Sequence, residues 1–281
     1  MIKKVKNFIR RLFDKIRSYV YIKMNTKPFT NAMVKTTTIN FDHSEMYSYG
    51  KVDLGKLTFE QYVYQTEILT SVIEIINKLD KDPYVDYTIM YLSNSMDKYK
   101  EHWKYADIAT VLFCLSKLLR PENYLEIGVR KGRSMVMVTH NSPKCEVYGF
   151  DMWIDNYAEI ENPGKEFVVK ELEKFNYQGN STFIEGDSHV TLKKFFTNNP
   201  NISFDLITVD GDHSFYGAVQ DLVDVLSKVR IGGALVFDDI AHPEVLYLQE
   251  VWRNVVKSNP RFSTWEYTDI GYGVGVAIRR Y

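Results

Sequence analysis

The 281-residue chain has little cysteine, with Cys114 and Cys145 as its only thiols. Two thiols cannot build a disulfide framework, so the reducing cytosol is the expected compartment and stability must come from a packed core. Nowhere do 18 apolar residues run together, so no segment is expected to span a bilayer. Internal repeats and low-complexity tracts are also missing. What is present is 45% apolar and 14% aromatic residues, enough for a sizeable core and incompatible with disorder or a collagen-like repeat. Net charge is almost absent, 35 basic groups against 36 acidic, yet it is unevenly spread. Residues 1–104 hold 17 basic and 12 acidic groups, and residues 105–281 hold 18 and 24.

Most of the basic excess lies in residues 1–23, where eight cations stand against Asp14. The cations are threaded between Ile2, Val5, Phe8, Ile9, Leu12, Phe13, Ile16 and Val20, which is not the uninterrupted apolar core of a secretory signal. Spacings of three and four predict a basic amphipathic helix. Such a helix suits the inner face of an anionic membrane, or else docks on its own domain or on a second subunit of a homo-oligomer. Nucleic acid is not an expected partner, because no basic stripe continues beyond the arm.

Residues 24–104 read as a helical and irregular extension, without clear period from 26 to 56. A helix is expected over 58–79 with Thr58 as its cap, and another over 102–119, ending before Pro121. From 105 to 281 strands alternate with helices, the pattern of a parallel sheet covered on both faces. Strands are expected at 124–129, 146–151, 181–187, 204–210 and 234–239. The clearest helix is 215–229, and a further one at 243–258 takes Pro243 in its first turn. A terminal antiparallel hairpin, 264–268 with 273–278, completes a seven-stranded α/β sheet of Rossmann-like type.

Four of the five parallel strands end in acid: Asp151, Asp187, Asp210 and the pair Asp238-Asp239. Ligands of open α/β sheets bind outside the carboxyl ends of the strands, so these carboxylates are expected around one cleft, although each alone would pass for a helix cap. The first strand runs into Glu126-Ile127-Gly128-Val129-Arg130-Lys131-Gly132. A dinucleotide site wants a second glycine where Arg130 stands, so NAD is disfavoured. The spacing suits a ligand without pyrophosphate, whose amino and carboxylate groups meet the turn and whose ribose hydroxyls are held by an acid on the next strand.

The run from Leu125 to Gly132 resembles the first motif of class I S-adenosylmethionine (SAM) methyltransferases. Asp210-Gly211-Asp212-His213 resembles the signature of the branch containing macrocin-type antibiotic-sugar O-methyltransferases. The resemblance spans residues 105–281. It implies SAM as cofactor, with Glu126, Gly128 and Gly132 at the turn, Asp151 on the ribose, Asp187 and Ser188 at the adenine, and Asp210 bordering the site. It also implies Mg²⁺ on Asp210, Asp238 and Asp239, with His213 as the base.

The chemistry agrees with that set. Methyl transfer from a sulfonium is an in-line displacement that needs an aligned oxygen and removal of its proton. Strands four and five should lie ~4.8 Å apart, and three carboxylates so close suit a hard cation that acidifies a hydroxyl. The acceptor is expected to be a small-molecule or glycan hydroxyl. Trp153, Tyr157, Trp252 and Trp265 are candidates for its pocket, His242 is a second candidate base, and Asp212 is expected to point away. The alternatives are carboxylates that only brace loops, a His213 that caps the next helix, and a metal-independent methyltransferase acting on nitrogen or a phenol. Two more distant alternatives are a non-catalytic SAM-fold module tethered to a membrane complex and an iron hydroxylase.

Overall fold

A computed structural model describes residues 2–25, 54–155 and 161–281; Tyr157 and residues 26–53 of the irregular segment lie outside the described residues. In chain order the helices before the sheet are α1 (Ile2–Asn25), α2 (Lys56–Val63), α3 (Thr66–Lys78), α4 (Pro83–Tyr99) and α5 (Ile108–Leu119). Then β1 (Asn123–Ile127), α6 (Arg133–Asn141), β2 (Glu146–Asp151), α7 (Lys165–Lys174), β3 (Ser181–Glu185), α8 (Ser188–Asn198) and β4 (Phe204–Val209) alternate. The chain continues through α9 (Phe215–Leu226), β5 (Val229–Asp238), α10 (Tyr247–Trp252), β6 (Phe262–Tyr267) and β7 (Val274–Arg279).

The sheet order is β3-β2-β1-β4-β5-β7-β6, with β1 to β5 parallel and β7 antiparallel to both β5 and β6. This is the expected seven-stranded methyltransferase-type fold, with a helical region in front. Central strands carry apolar side chains on both faces, as doubly covered strands must. Ala234 and Val236 face one core, and Leu235 and Phe237 face the other. The strand order reverses between β1 and β4, so the cleft opens at their carboxyl ends.

The helical region differs from expectation in three places. The helix expected over 58–79 is two: Gln65 is extended between α2 and α3, and Thr58 lies inside α2, which Gly55 precedes as N-cap. The break lets α2 and α3 each bury a face; Phe59 of α2 packs on Trp265 and Tyr267 of β6. The helix expected from 102 begins only at Ile108, because Asp107 and Thr110 form a capping box there. Helix α4 was not anticipated, although Asp82 accepts the Val85 N–H at 2.9 Å and Pro83 occupies the first turn, a strong start signal. Near the carboxyl end α10 starts at Tyr247, four residues beyond Pro243, and runs on as a π-type turn, Arg253–Lys257. One apolar core joins α2 and α3 to α5, α6 and one face of the sheet, so the helical region is built onto the sheet.

Candidate active site

The turn after β1 is shaped by backbone approach. Gly128 has φ +86°, and a Cβ there would stand 1.9 Å from the Asp210 carbonyl oxygen. No larger residue fits. The Gly128 N–H donates to the Phe150 carbonyl and the Asp210 N–H to the Ile127 carbonyl, so one turn ties β2, β1 and β4 together. Gly132, φ +74°, is the N-cap of α6. At the end of β2, Asp151 accepts the Arg130 N–H at 2.7 Å and the Trp153 N–H at 2.5 Å, which aims its carboxylate along the cleft.

Glu126 lies elsewhere than expected. It is fully buried, does not line the cleft, and takes hydroxyl donors from Tyr124 at 2.7 Å and from Ser134. Burial pushes its carboxyl up to about 8, so at neutral pH it braces the turn largely in its protonated form.

Beyond β3, Asp187 caps α8 by accepting the His189 N–H, and the Ser188 hydroxyl donates to Asp221 at 2.7 Å. Asp221 is buried on α9 and lies 3.4 Å from the Asp212 N–H, linking the Ser188 turn to the Asp-Gly-Asp-His loop. The sequence reading missed it. Its signal was an acid beside Leu222 on the apolar side of α9.

The ends of β4 and β5 hold the acidic cluster. His213 Nε2 lies 3.4 Å from Asp210 Oδ1 and 3.6 Å from Asp239 Oδ2. The Asp210 bond raises the imidazole pKa above its ordinary value, against the effect of burial, and Asp239 adds to the rise. Burial, then the like charge of Asp210, pushes Asp239 up to about 6. Asp238 is raised well above the carboxylate range by burial and by both neighbours. Among the described residues, Asp210, His213 and Asp239 place ligand atoms within 4.8 Å of one another; Asp238 borders this group without joining it. Asp212 accepts the Ser214 N–H and hydroxyl and stays out of the cluster, but it lines the cavity and does not point away as expected. His242 accepts the Glu244 N–H and packs on Tyr272, off the cleft wall.

All these strand ends open into one cavity of about 1030 Å³. Its opposite wall comes from the helical region: Tyr84, Tyr87 and Tyr91 of α4, with Tyr105 and Asp107 ahead of α5. Asp82 clamps the two walls together. It caps α4, and its other oxygen takes Lys131 at 3.0 Å, from the turn that follows β1, and Arg133, the first residue of α6. Burial alone would raise the Asp82 pKa, but the Val85 N–H and the two cations hold it below the usual value. Arg133 in turn lies 4.7 Å over the Tyr84 ring.

These tyrosines take the place of the expected aromatic pocket. Trp252 and Trp265 are buried, against Phe237 and Phe59 respectively, because α10 and β6 turn them into the core. Trp153 donates its indole N–H to the Arg130 carbonyl and packs on Phe183, supporting the turn without lining the cavity.

Residues 125–240 match a family model described as a methyltransferase domain. The fold is shared with a Klebsiella pneumoniae protein designated an O-methyltransferase: 17% identity, TM-score 0.52, covering 78% of this chain and 99% of that one. It is also shared with cofactor-bound Rv0187 from MTB: 16% identity, TM-score 0.51, 71% and 91% covered. No curated protein matches the chain.

Proposed function

We propose that this chain, a methyltransferase by its domain match, draws the methyl group from SAM and passes it to a hydroxyl of a sugar, glycan or glycosylated metabolite with Mg²⁺ assistance, as the macrocin-type resemblance implies. The observation that carries the reading is one cavity bordered by the glycine turn, Asp151 and Ser188 on one side and by Asp210, His213 and Asp239 on the other.

SAM fits the first side. Gly128 brings backbone close, and Asp151 keeps lone pairs for ribose hydroxyls beyond those taken by Arg130 and Trp153. When bound, it supplies a sulfonium methyl open to in-line attack. His213 accepts the acceptor hydroxyl's proton, and Asp210 and Asp239, which face its Nε2, stabilise the charged ring. The ring faces of Tyr84, Tyr87 and Tyr91 position the acceptor, as aromatic walls suit the apolar faces of sugar rings.

A divalent cation also fits. After burial, the charge of Asp210 is what most raises the pKa values of Asp238 and Asp239, and that repulsion is what a cation offsets. When bound, it lowers the pKa of the hydroxyl. Asp210 and Asp239 would supply its oxygen donors, with His213 kept for the proton.

Calorimetric titration with SAM, with and without Mg²⁺, followed by a methyl-transfer screen over sugar nucleotides and glycolipids, tests the reading. SAM binding with EDTA-sensitive transfer to a hydroxyl is expected. No SAM binding overturns it, EDTA-insensitive transfer to nitrogen or a phenol replaces it with the metal-independent reading, and restoration by Zn²⁺ but not Mg²⁺ moves His213 into the ligand set.

A further inference from the structure

Helix α1 is docked the wrong way round for an amphipathic helix on a globular body. The side that meets the body is mostly polar, with Ile22 and the Tyr21 ring as its apolar contacts. Ser18 is buried, the Tyr21 hydroxyl donates to Asp224 of α9, Arg17 lies 4.3 Å over the Tyr216 ring, and Lys15 pairs with Glu250 at 2.8 Å. The opposite side carries Ile9, Leu12, Phe13, Ile16, Val20 and Met24, all 45–79% exposed. Their spacing of three and four residues makes one stripe, ~23 Å long at 1.5 Å per residue. A helix docked only for its own domain's stability would bury that stripe.

We propose that α1 lays this stripe into the headgroup region of an anionic bilayer while its polar side stays fixed to α9. Charge selects this occupant. Residues 1–23 hold eight cations and one acid, and Lys6, Arg10 and Lys23 are exposed along the helix. A second copy packed stripe to stripe would bring two sets of cations together, whereas anionic headgroups neutralise them at roughly 1 kcal/mol each. The rest of the chain is acidic and would be repelled by the same surface, so the helix sets which side faces it. The helix also passes close to the catalytic loop: Lys15 is 5.7 Å from the ring of Phe215, and Tyr247 donates its hydroxyl to the His213 carbonyl within electrostatic reach of Arg10 and Arg11. The bilayer then lies beside the His213 edge of the molecule.

The test is flotation of the full chain with vesicles of phosphatidylcholine alone or mixed with phosphatidylglycerol, alongside the triple variant Leu12→Gln/Phe13→Gln/Ile16→Gln. These three side chains are on the outward side, so the variant should keep the parent melting temperature. Expected are flotation with the anionic vesicles only, release by salt, and at least ~100-fold weaker binding by the triple variant. Parent protein that does not float, or a variant that floats equally well, overturns the proposal. So does a dimer in sedimentation that the triple variant dissociates, since the stripe is then covered by a second copy. None of these readouts depends on methyl transfer.

Discussion

The two walls of the cavity are built by different means. On the sheet side, position is set by backbone: Gly128 lets the turn close onto Asp210, and two N–H groups fix Asp151. On the helical side, position is set by side chains: three tyrosines project from one helix, which is pinned to the turn through Asp82. A wall made of strand ends is rigid because every strand is braced by its neighbours. A wall made of one helix face can change its chemistry without disturbing the sheet, which suits a part that selects the acceptor.

The largest effect should come from the acidic cluster on the sheet side. His213→Ala is expected to lower kcat by ~10²–10⁴ with SAM affinity nearly intact, read by single-turnover methylation and calorimetry. Asp239→Asn should behave likewise. An equal loss of SAM binding in either variant would assign the cluster to the cofactor and erase the distinction between the walls.

Next in size is Gly128→Ala, which forces a Cβ against the Asp210 carbonyl at positive φ. A loss of roughly 3 kcal/mol or more in denaturant unfolding, together with lost SAM binding, is expected. An unchanged midpoint would show that the turn is not shaped by backbone approach.

Tyr87→Ala should leave stability and SAM affinity unchanged while raising the acceptor KM about tenfold, through loss of one aromatic contact. A matching rise in the SAM dissociation constant would place α4 on the cofactor side.

The smallest effect concerns Glu126. Its folded pKa is raised to about 8 by burial, so between the ordinary carboxyl value and 8 the folded state keeps a proton that the unfolded chain has lost. Stability therefore falls as pH rises through that window, and the penalty is complete above it. Glu126→Gln, uncharged throughout, should flatten the decline in melting temperature between about pH 5 and about pH 9. A parallel decline in both proteins would remove Glu126 as its source.

The sheet side was the more legible in sequence. Acids at the ends of β2, β4 and β5 and the glycine turn were all readable, because strand period and turn chemistry are short-range properties. Glu126 was misplaced for a reason of the same kind: strand alternation does not say which of its neighbours closes over a side chain, and Tyr124 and Ser134 do so here. Asp221 and the α4 tyrosines were missed although Asp82-Pro83 marks a helix start, since their roles arise only where α4 and α9 pack on the turns. Trp252 and Trp265 show the converse, aromatic residues that pattern alone could not assign to core or cleft.

By itself the sequence determined that an α/β sheet with acids at its strand ends follows a basic amphipathic helix, because hydrophobic period and turn residues act over a few positions. The tertiary structure alone decided that the helical region forms one wall of the cavity, and that α1 presents its apolar stripe outward. Both depend on contacts such as Asp82 with Arg133 and Tyr21 with Asp224, between residues far apart in the chain, and a local period carries no record of which face a neighbour will take.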